Sequence, residues 1–164
     1  MAITKEIDSK IIWDLLAAIP DPEIPVINIV ELGVVRNVKV ANESVEVVIT
    51  PTYSGCPAMQ MIEDDIKEHL KLKGCQNVKV TTVLSPAWTT DWIPEEAREK
   101  LKEYGIAPPE KPTSDFDALI GKPKECPQCG SSKTELKSQF GSTPCKSLYV
   151  CTDCKEPFDY FKCH

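Results

Sequence analysis

The sequence predicts an α/β protein: a compact α/β sandwich followed by a small β ribbon built around metal. Three observations predict it. Apolar periodicity over the first two thirds of the chain switches between helix and strand spacing in the order α-β-β-α-β-α. A stretch carrying Pro108, Pro109, Pro112 and Pro123 then interrupts regular structure. Beyond it, six of the eight cysteines fall between Cys126 and His164, four of them as two Cys-x-x-Cys pairs. The expected organisation is residues 1–104 as the sandwich, 105–124 as a semi-rigid linker and 125–164 as the ribbon.

The first helix is expected over Ser9–Ile19, with Ile11, Ile12, Trp13, Leu15, Leu16 and Ile19 mostly on one face. Asp8 or Ser9 caps its start and Pro20 ends it. Pro22 and Pro25 then hold an extended turn, and Gly33 permits a bend. The β-branched runs Val34–Val40 and Val45–Thr50, separated by Asn42 and Glu43, read as a hairpin. A helix beginning at Pro57 buries Met59, Ile62, Ile66 and Leu70 and stops at Gly74. Glu63, Asp64 and Asp65 precede Lys67, Lys71 and Lys73, as the helix dipole favours. Asn77–Leu84 reads as a third strand, with Val78, Val80 and Leu84 on one face, and Pro94–Tyr104 as a helix closed by Gly105. In the linker, Phe116, Leu119 and Ile120 form a short apolar cluster that either packs back on a domain or meets a partner. Ribbon strands are expected over Thr134–Phe140, Lys146–Val150 and Phe158–Cys163.

Composition excludes several functions. No apolar run approaches the roughly 20 residues needed to span a bilayer, and the N-terminal segment has no apolar core of a signal peptide. No Gly-rich dinucleotide or phosphate loop is present, and no Glu-x-x-His pair exists for a di-iron bundle. The formal net charge of −6 argues against binding nucleic acid through phosphates. Residues 1–120 carry 12 Lys and Arg against 20 Asp and Glu, and residues 121–164 carry 7 against 5. That slight basicity of the ribbon vanishes once four thiolates and a divalent metal are counted. Without an export signal a cytoplasmic, reducing compartment is expected, where clustered thiols mean metal or redox chemistry rather than disulfides.

Cys126, Cys129, Cys151 and Cys154 form two knuckles 21 residues apart, one beyond the usual ribbon spacing. Each turns two thiolates toward one point, and together they complete a tetrahedral site for zinc, with iron as the alternative. Cys145, Cys163 and His164 are left over and read as free thiols and a terminal His, or as a weak second set for a soft metal. Cys56 should sit at the N-cap of the Pro57 helix, where orphan N–H groups and the dipole favour a thiolate. It reads either as a reactive or metal-holding thiolate or as an inert cap. Cys75 follows the opposite helix end and reads as packing. His69 reads as a boundary residue making one hydrogen bond. Trp88 and Trp92 frame a loop, one of them expected in the core and an exposed one expected to dock a partner.

With these residues in view, DPEIPVINIVELGVV, TPTYSGCPA and LSPAWTTDWI resemble the phenylacetate-degradation branch of the MIP18-like family. CPQCG and FGSTPCKSLYVCTDCKEPFDYFKC resemble the ribbon appended in that branch. The resemblance runs from Asp8 to the end of the chain. It implies a role in iron–sulfur protein maturation, with the reactive, iron- or cluster-holding position at Cys56 and the acidic turn at Asp21 and Glu23. It implies as partners the subunits of the multicomponent oxygenase that epoxidises phenylacetyl-CoA, including its iron–sulfur reductase, together with iron–sulfur assembly machinery. The chain would then be an accessory protein without independent catalysis. A structural adaptor and a nucleic-acid-binding ribbon are the alternatives. A thiol oxidoreductase pairing Cys56 with Cys75 is disfavoured, since an intact helix between them sets the thiols roughly 25 Å apart.

Overall fold

The computed structural model describes residues 8–110 and 121–162. They form two compact units, Met1–Trp88 and Thr89–His164. Phe116, Leu119, Ile120, Cys163 and His164 lie outside the described residues.

In the first unit, α1 (Ser9–Leu16) starts where Asp8 Oδ1 accepts the Lys10 N–H at 3.2 Å. It ends one turn earlier than periodicity suggested. The Ile19 N–H bonds to Leu16 O and the chain turns toward Pro20. The strands β1 (Val35–Ala41) and β2 (Ser44–Ile49) form the expected hairpin, antiparallel with Ala41 opposite Ser44. Asn42 and Glu43 both take left-handed backbone angles, φ 48° and 64°, as a two-residue turn between twisted strands requires. The next helix, α2 (Ala58–Leu72), returns the chain so that β3 (Asn77–Thr82) lies parallel to β2. The sheet order is β1-β2-β3.

A Schellman motif closes α2: Gly74 N–H reaches Lys71 O and Cys75 N–H reaches Leu70 O, each at 3.0 Å. Cys75, the residue after that glycine, is 3% exposed. Burial alone pushes its thiol up, in keeping with packing. Ile12, Leu16, Val45, Val47, Ile49, Ile62, Ile66 and Leu70 are buried among α1, α2 and the sheet. The other sheet face is polar. Glu46 accepts the Thr81 hydroxyl at 2.7 Å and faces Lys39 and Lys79 on the flanking strands, at 3.7 and 3.6 Å. The Thr81 bond, aided by the two ammonium groups, lowers the Glu46 carboxyl. The third strand is shorter than expected, so Leu84, placed on one face with Val78 and Val80, lies beyond its end and is exposed.

The second unit begins with a short 3₁₀ turn, Thr90–Trp92, and α3 (Glu95–Tyr104), closed by Gly105 at φ 96°. Next come β4 (Ile106–Ala107), β5 (Thr134–Ser138), β6 (Lys146–Cys151) and β7 (Pro157–Phe161), in sheet order β4-β7-β6-β5. The boundary expected at 104/105 falls inside this unit. The start of the expected linker is a strand, parallel to β7 with Ile106 opposite Asp159. Arg98 fastens the connection by donating to the carbonyls of Ile93 (3.2 Å), Thr90 (2.8 Å) and Pro109. Lys102 and Lys124 add ion pairs to Glu125 and Glu110. Among the described residues, no helix is long and apolar enough to cross a membrane.

Glu43 carries the steric penalty of a left-handed non-glycine residue at an exposed turn. Glu43→Gly should therefore raise the stability of the first unit by about 0.5–1 kcal/mol in denaturant unfolding, the relieved strain exceeding the entropy added to the unfolded chain.

Candidate functional site

The second unit brings two knuckles together. In the first, Gly130 N–H bonds to Cys126 O at 2.9 Å and Cys126 N–H to Ser131 O at 2.9 Å, with Gly130 at φ 74°. The second repeats this at the β6–β7 turn. Lys155 N–H bonds to Cys151 O and Cys151 N–H to Glu156 O, both at 3.0 Å, with Lys155 at φ 67°. The two turns are near copies, and each points its sulfurs at the other.

The Sγ atoms of Cys126, Cys129, Cys151 and Cys154 all lie within 4.8 Å of one another. Cys126–Cys154 and Cys129–Cys151 are 3.7 and 3.6 Å apart. Those separations are far beyond a disulfide, about 2.05 Å, and near the edge of a tetrahedron with metal–sulfur bonds of about 2.3 Å, which is about 3.8 Å. The donor set therefore fits a tetrahedral thiolate metal. The local electrostatics point the same way. The backbone N–H of Cys154 has the largest effect on Cys151 and, with that of Asp153, holds its thiol down to about 7 against desolvation. At Cys154 the Glu156 N–H favours the thiolate, but desolvation and the three facing sulfurs overcome it and the thiol is pushed up to about 12. Four sulfurs so close cannot all ionise unless a cation joins them.

Cys56 lies in the loop from β2 to α2, after Gly55 at φ 81°. Its N–H bonds to Tyr53 O at 3.2 Å, and its carbonyl accepts the Met59 N–H at 3.3 Å. The N-cap is Pro57, not Cys56. Proline at φ −68° and ψ −22° already has helical angles, so Cys56 stands one residue outside the helix, half-buried. Asp21 is buried and its Oδ1 accepts the N–H groups of Glu23 (2.9 Å) and Ile24 (2.8 Å), so it organises the turn that holds Glu23. Among the described residues, the four ribbon cysteines are gathered within metal-binding reach, whereas Cys56, Asp21 and Glu23 are not gathered into such a group.

Other expected positions divide. Trp88 is 4% exposed and donates its indole N–H to Leu32 O at 2.9 Å. It is the tryptophan of the pair that lies in the core. Trp92, in the 3₁₀ turn capped by the Thr89 hydroxyl, is half-buried. Cys145 is buried with Thr143 Oγ1 at 3.0 Å from its sulfur. His69 Nε2 is buried and has no hydrogen-bond partner among the described residues. Two residues escaped the sequence reading. Asn28 accepts the Val30 and Glu31 N–H groups while Glu31 accepts that of Asn28, a capping box whose N-x-x-E spacing was legible. Asp153, between the cysteines of the second knuckle, accepts the Ser131 hydroxyl at 2.6 Å, a tie across the two knuckles that no local spacing announces.

Comparison with known proteins follows the same division. Residues 10–82 match the family model described as an iron–sulfur cluster assembly protein, and residues 111–162 the one described as the PaaD zinc beta ribbon domain. The class is therefore an iron–sulfur assembly domain joined to a zinc ribbon. Over 152 residues, 93% of this chain and 91% of the relative, the sequence is 51% identical to a protein of Escherichia coli (strain K12) provisionally named as a component of 1,2-phenylacetyl-CoA epoxidase. The chain belongs to the PaaD family. An Fe-S protein maturation auxiliary factor of Porphyromonas gingivalis (strain ATCC BAA-308 / W83) is 38% identical over 89 residues, 53% of this chain and 84% of that protein. The solved structure of a domain of unknown function, DUF59, from Bacillus anthracis aligns with TM-score 0.53 and 28% identity, covering 57% of this chain and 90% of that one. The expected α/β sandwich of MIP18-like type followed by a ribbon is the fold observed.

The near-identical knuckles predict opposite responses. A side chain at Gly130 would meet nothing within 4 Å, so Gly130→Ala should cost only the left-handed penalty, about 1–2 kcal/mol. Lys155→Gly should relieve part of the same penalty and stabilise the metal-loaded unit. Thermal unfolding of both variants checks the signs.

Proposed function

We propose that this chain is a cytoplasmic accessory protein of a phenylacetyl-CoA ring-epoxidising oxygenase, assisting assembly of iron or iron–sulfur clusters in that complex. The observation that carries the reading is the union in one chain of an iron–sulfur assembly domain with the PaaD ribbon, matched over nearly its full length by a protein named for the epoxidase. In this reading the ribbon holds one zinc ion through Cys126, Cys129, Cys151 and Cys154, and the ion supplies the cross-link that a small aromatic core needs. Cys56 holds iron or a cluster transiently as cargo. Its half-buried place in the loop one residue before the N-cap of α2 supports that role. Asp21 and Glu23 form the acidic turn of the same domain. Trp92 and the ribbon dock the clients: oxygenase subunits, the iron–sulfur reductase and the assembly machinery.

The test is client metal content. Cys56→Ser should leave the fold and the ribbon metal intact, while oxygenase and reductase purified from the same cells carry less iron and sulfide and less ring-epoxidising activity. Equal content and full activity would remove the maturation role and leave a structural adaptor.

The two tryptophans should separate cleanly. Trp88→Ala should cost about 3–5 kcal/mol of stability. Trp92→Ala should instead weaken co-purification with the oxygenase at little cost in melting temperature.

A further inference from the structure

The four ribbon sulfurs are unequal. Cys126 and Cys151 are fully buried, Cys154 is half-buried and Cys129 is exposed. Each knuckle thus places its first sulfur in the core and its second toward solvent. The outer sulfurs are flanked by a link between knuckles. Ser131, two residues beyond Cys129, donates to Oδ2 of Asp153, which immediately precedes Cys154, at 2.6 Å. Lys133 Nζ lies 3.5 Å from Asp153 Oδ1, and Lys133 O accepts the N–H and hydroxyl of Thr152 at 2.8 and 3.0 Å.

Ligand exchange at a tetrahedral thiolate site needs room for an incoming donor and for a departing sulfur. A thiolate leaving the metal keeps its electron pair, and the newcomer's lone pair replaces it, so no oxidation occurs. Buried Cys126 and Cys151 have neither space to swing into nor water to solvate the freed charge. Cys129 has both, and Cys154 is its neighbour on the solvent side. We infer that metal enters and leaves this ribbon over the Cys129–Cys154 edge, and that the Ser131–Asp153 hydrogen bond is a latch holding that edge closed. Asp153 and Ser131 are positioning residues, since they touch the ligands' backbone neighbours and not the metal. The inference rests on metal occupancy of the four-cysteine site.

The experiment uses the full chain loaded with one zinc ion and follows transfer of zinc to excess chromogenic chelator. Ser131→Ala and Asp153→Ala should each speed transfer about fivefold, the scale of one exposed charge-assisted hydrogen bond, and the double variant no further. Asp153→Asn, which keeps an acceptor but loses the charge, should fall between the wild-type rate and that of Asp153→Ala. Independently, limited iodoacetamide treatment of the loaded wild-type protein, followed by peptide mapping, should modify Cys129 first and Cys154 next among the ribbon cysteines. This second measurement serves even if a latch variant fails to fold. Unchanged transfer rates, additive effects in the double variant, or early modification of Cys126 or Cys151 would overturn the latch and the edge. A wild-type chain that retains no metal would overturn the metal reading itself, an outcome distinct from metal held but released without regard to Asp153.

Discussion

The second unit depends on one constraint: four sulfurs carried by two distant turns must meet at a point. Cys126 and Cys151 belong to the same buried cluster as Ala107, Tyr149, Phe158 and Tyr160, with Leu136 and Cys154 packed against it. Tyr149 stacks on Phe158 at 5.8 Å and meets Tyr160 edge-on at 5.9 Å. The sulfur cluster and the aromatic core are thus one object, and neither is complete without the other. So small a core gains little from apolar burial, which is why convergence of the thiols is the condition on which sheet order and strand register rest.

The first unit answers a different demand. Its sheet buries one face under α1 and α2 and satisfies the other with the Lys39–Glu46–Lys79 row. The crossover from β2 through α2 to β3 fixes where the Cys56 loop begins and ends, because β2 and β3 are parallel partners. The turn after α1 is equally determined. Asp21 is buried and bonded to two amides, and the Asn28–Glu31 box follows directly. Acidic residues in this turn therefore have a structural duty as well as the one proposed for the site.

Features set by near neighbours were legible in the sequence. The knuckles, the Asn42–Glu43 turn, the Gly74 cap and the order of helices and strands all follow from spacings of a few residues. What was not legible depends on distant partners. Ile106 and Ala107 lie in a proline-rich stretch and become a strand only because Asp159 and Tyr160 offer backbone groups. Helix α3 joins the second unit for the same reason, held by an arginine reaching three carbonyls. Trp88 could be assigned to the core only once Leu32, 56 residues away, presented its carbonyl. At Cys56 the discrepancy is one residue: proline permits either the cap or the first helical position, and sequence alone does not choose between them.

The two residues of β4 have a consequence for solubility. Without them β7, carrying Phe158, Tyr160 and Phe161, would be the border of its sheet and would present a row of unpaired amides and carbonyls to any passing chain. A border strand so rich in aromatic side chains is a template for self-association. By lying alongside it in parallel, Ile106 and Ala107 move the open border to a strand only two residues long, which offers little for a stranger to pair with. The segment that leads the chain into the ribbon thereby also acts as its guard against fibrous stacking.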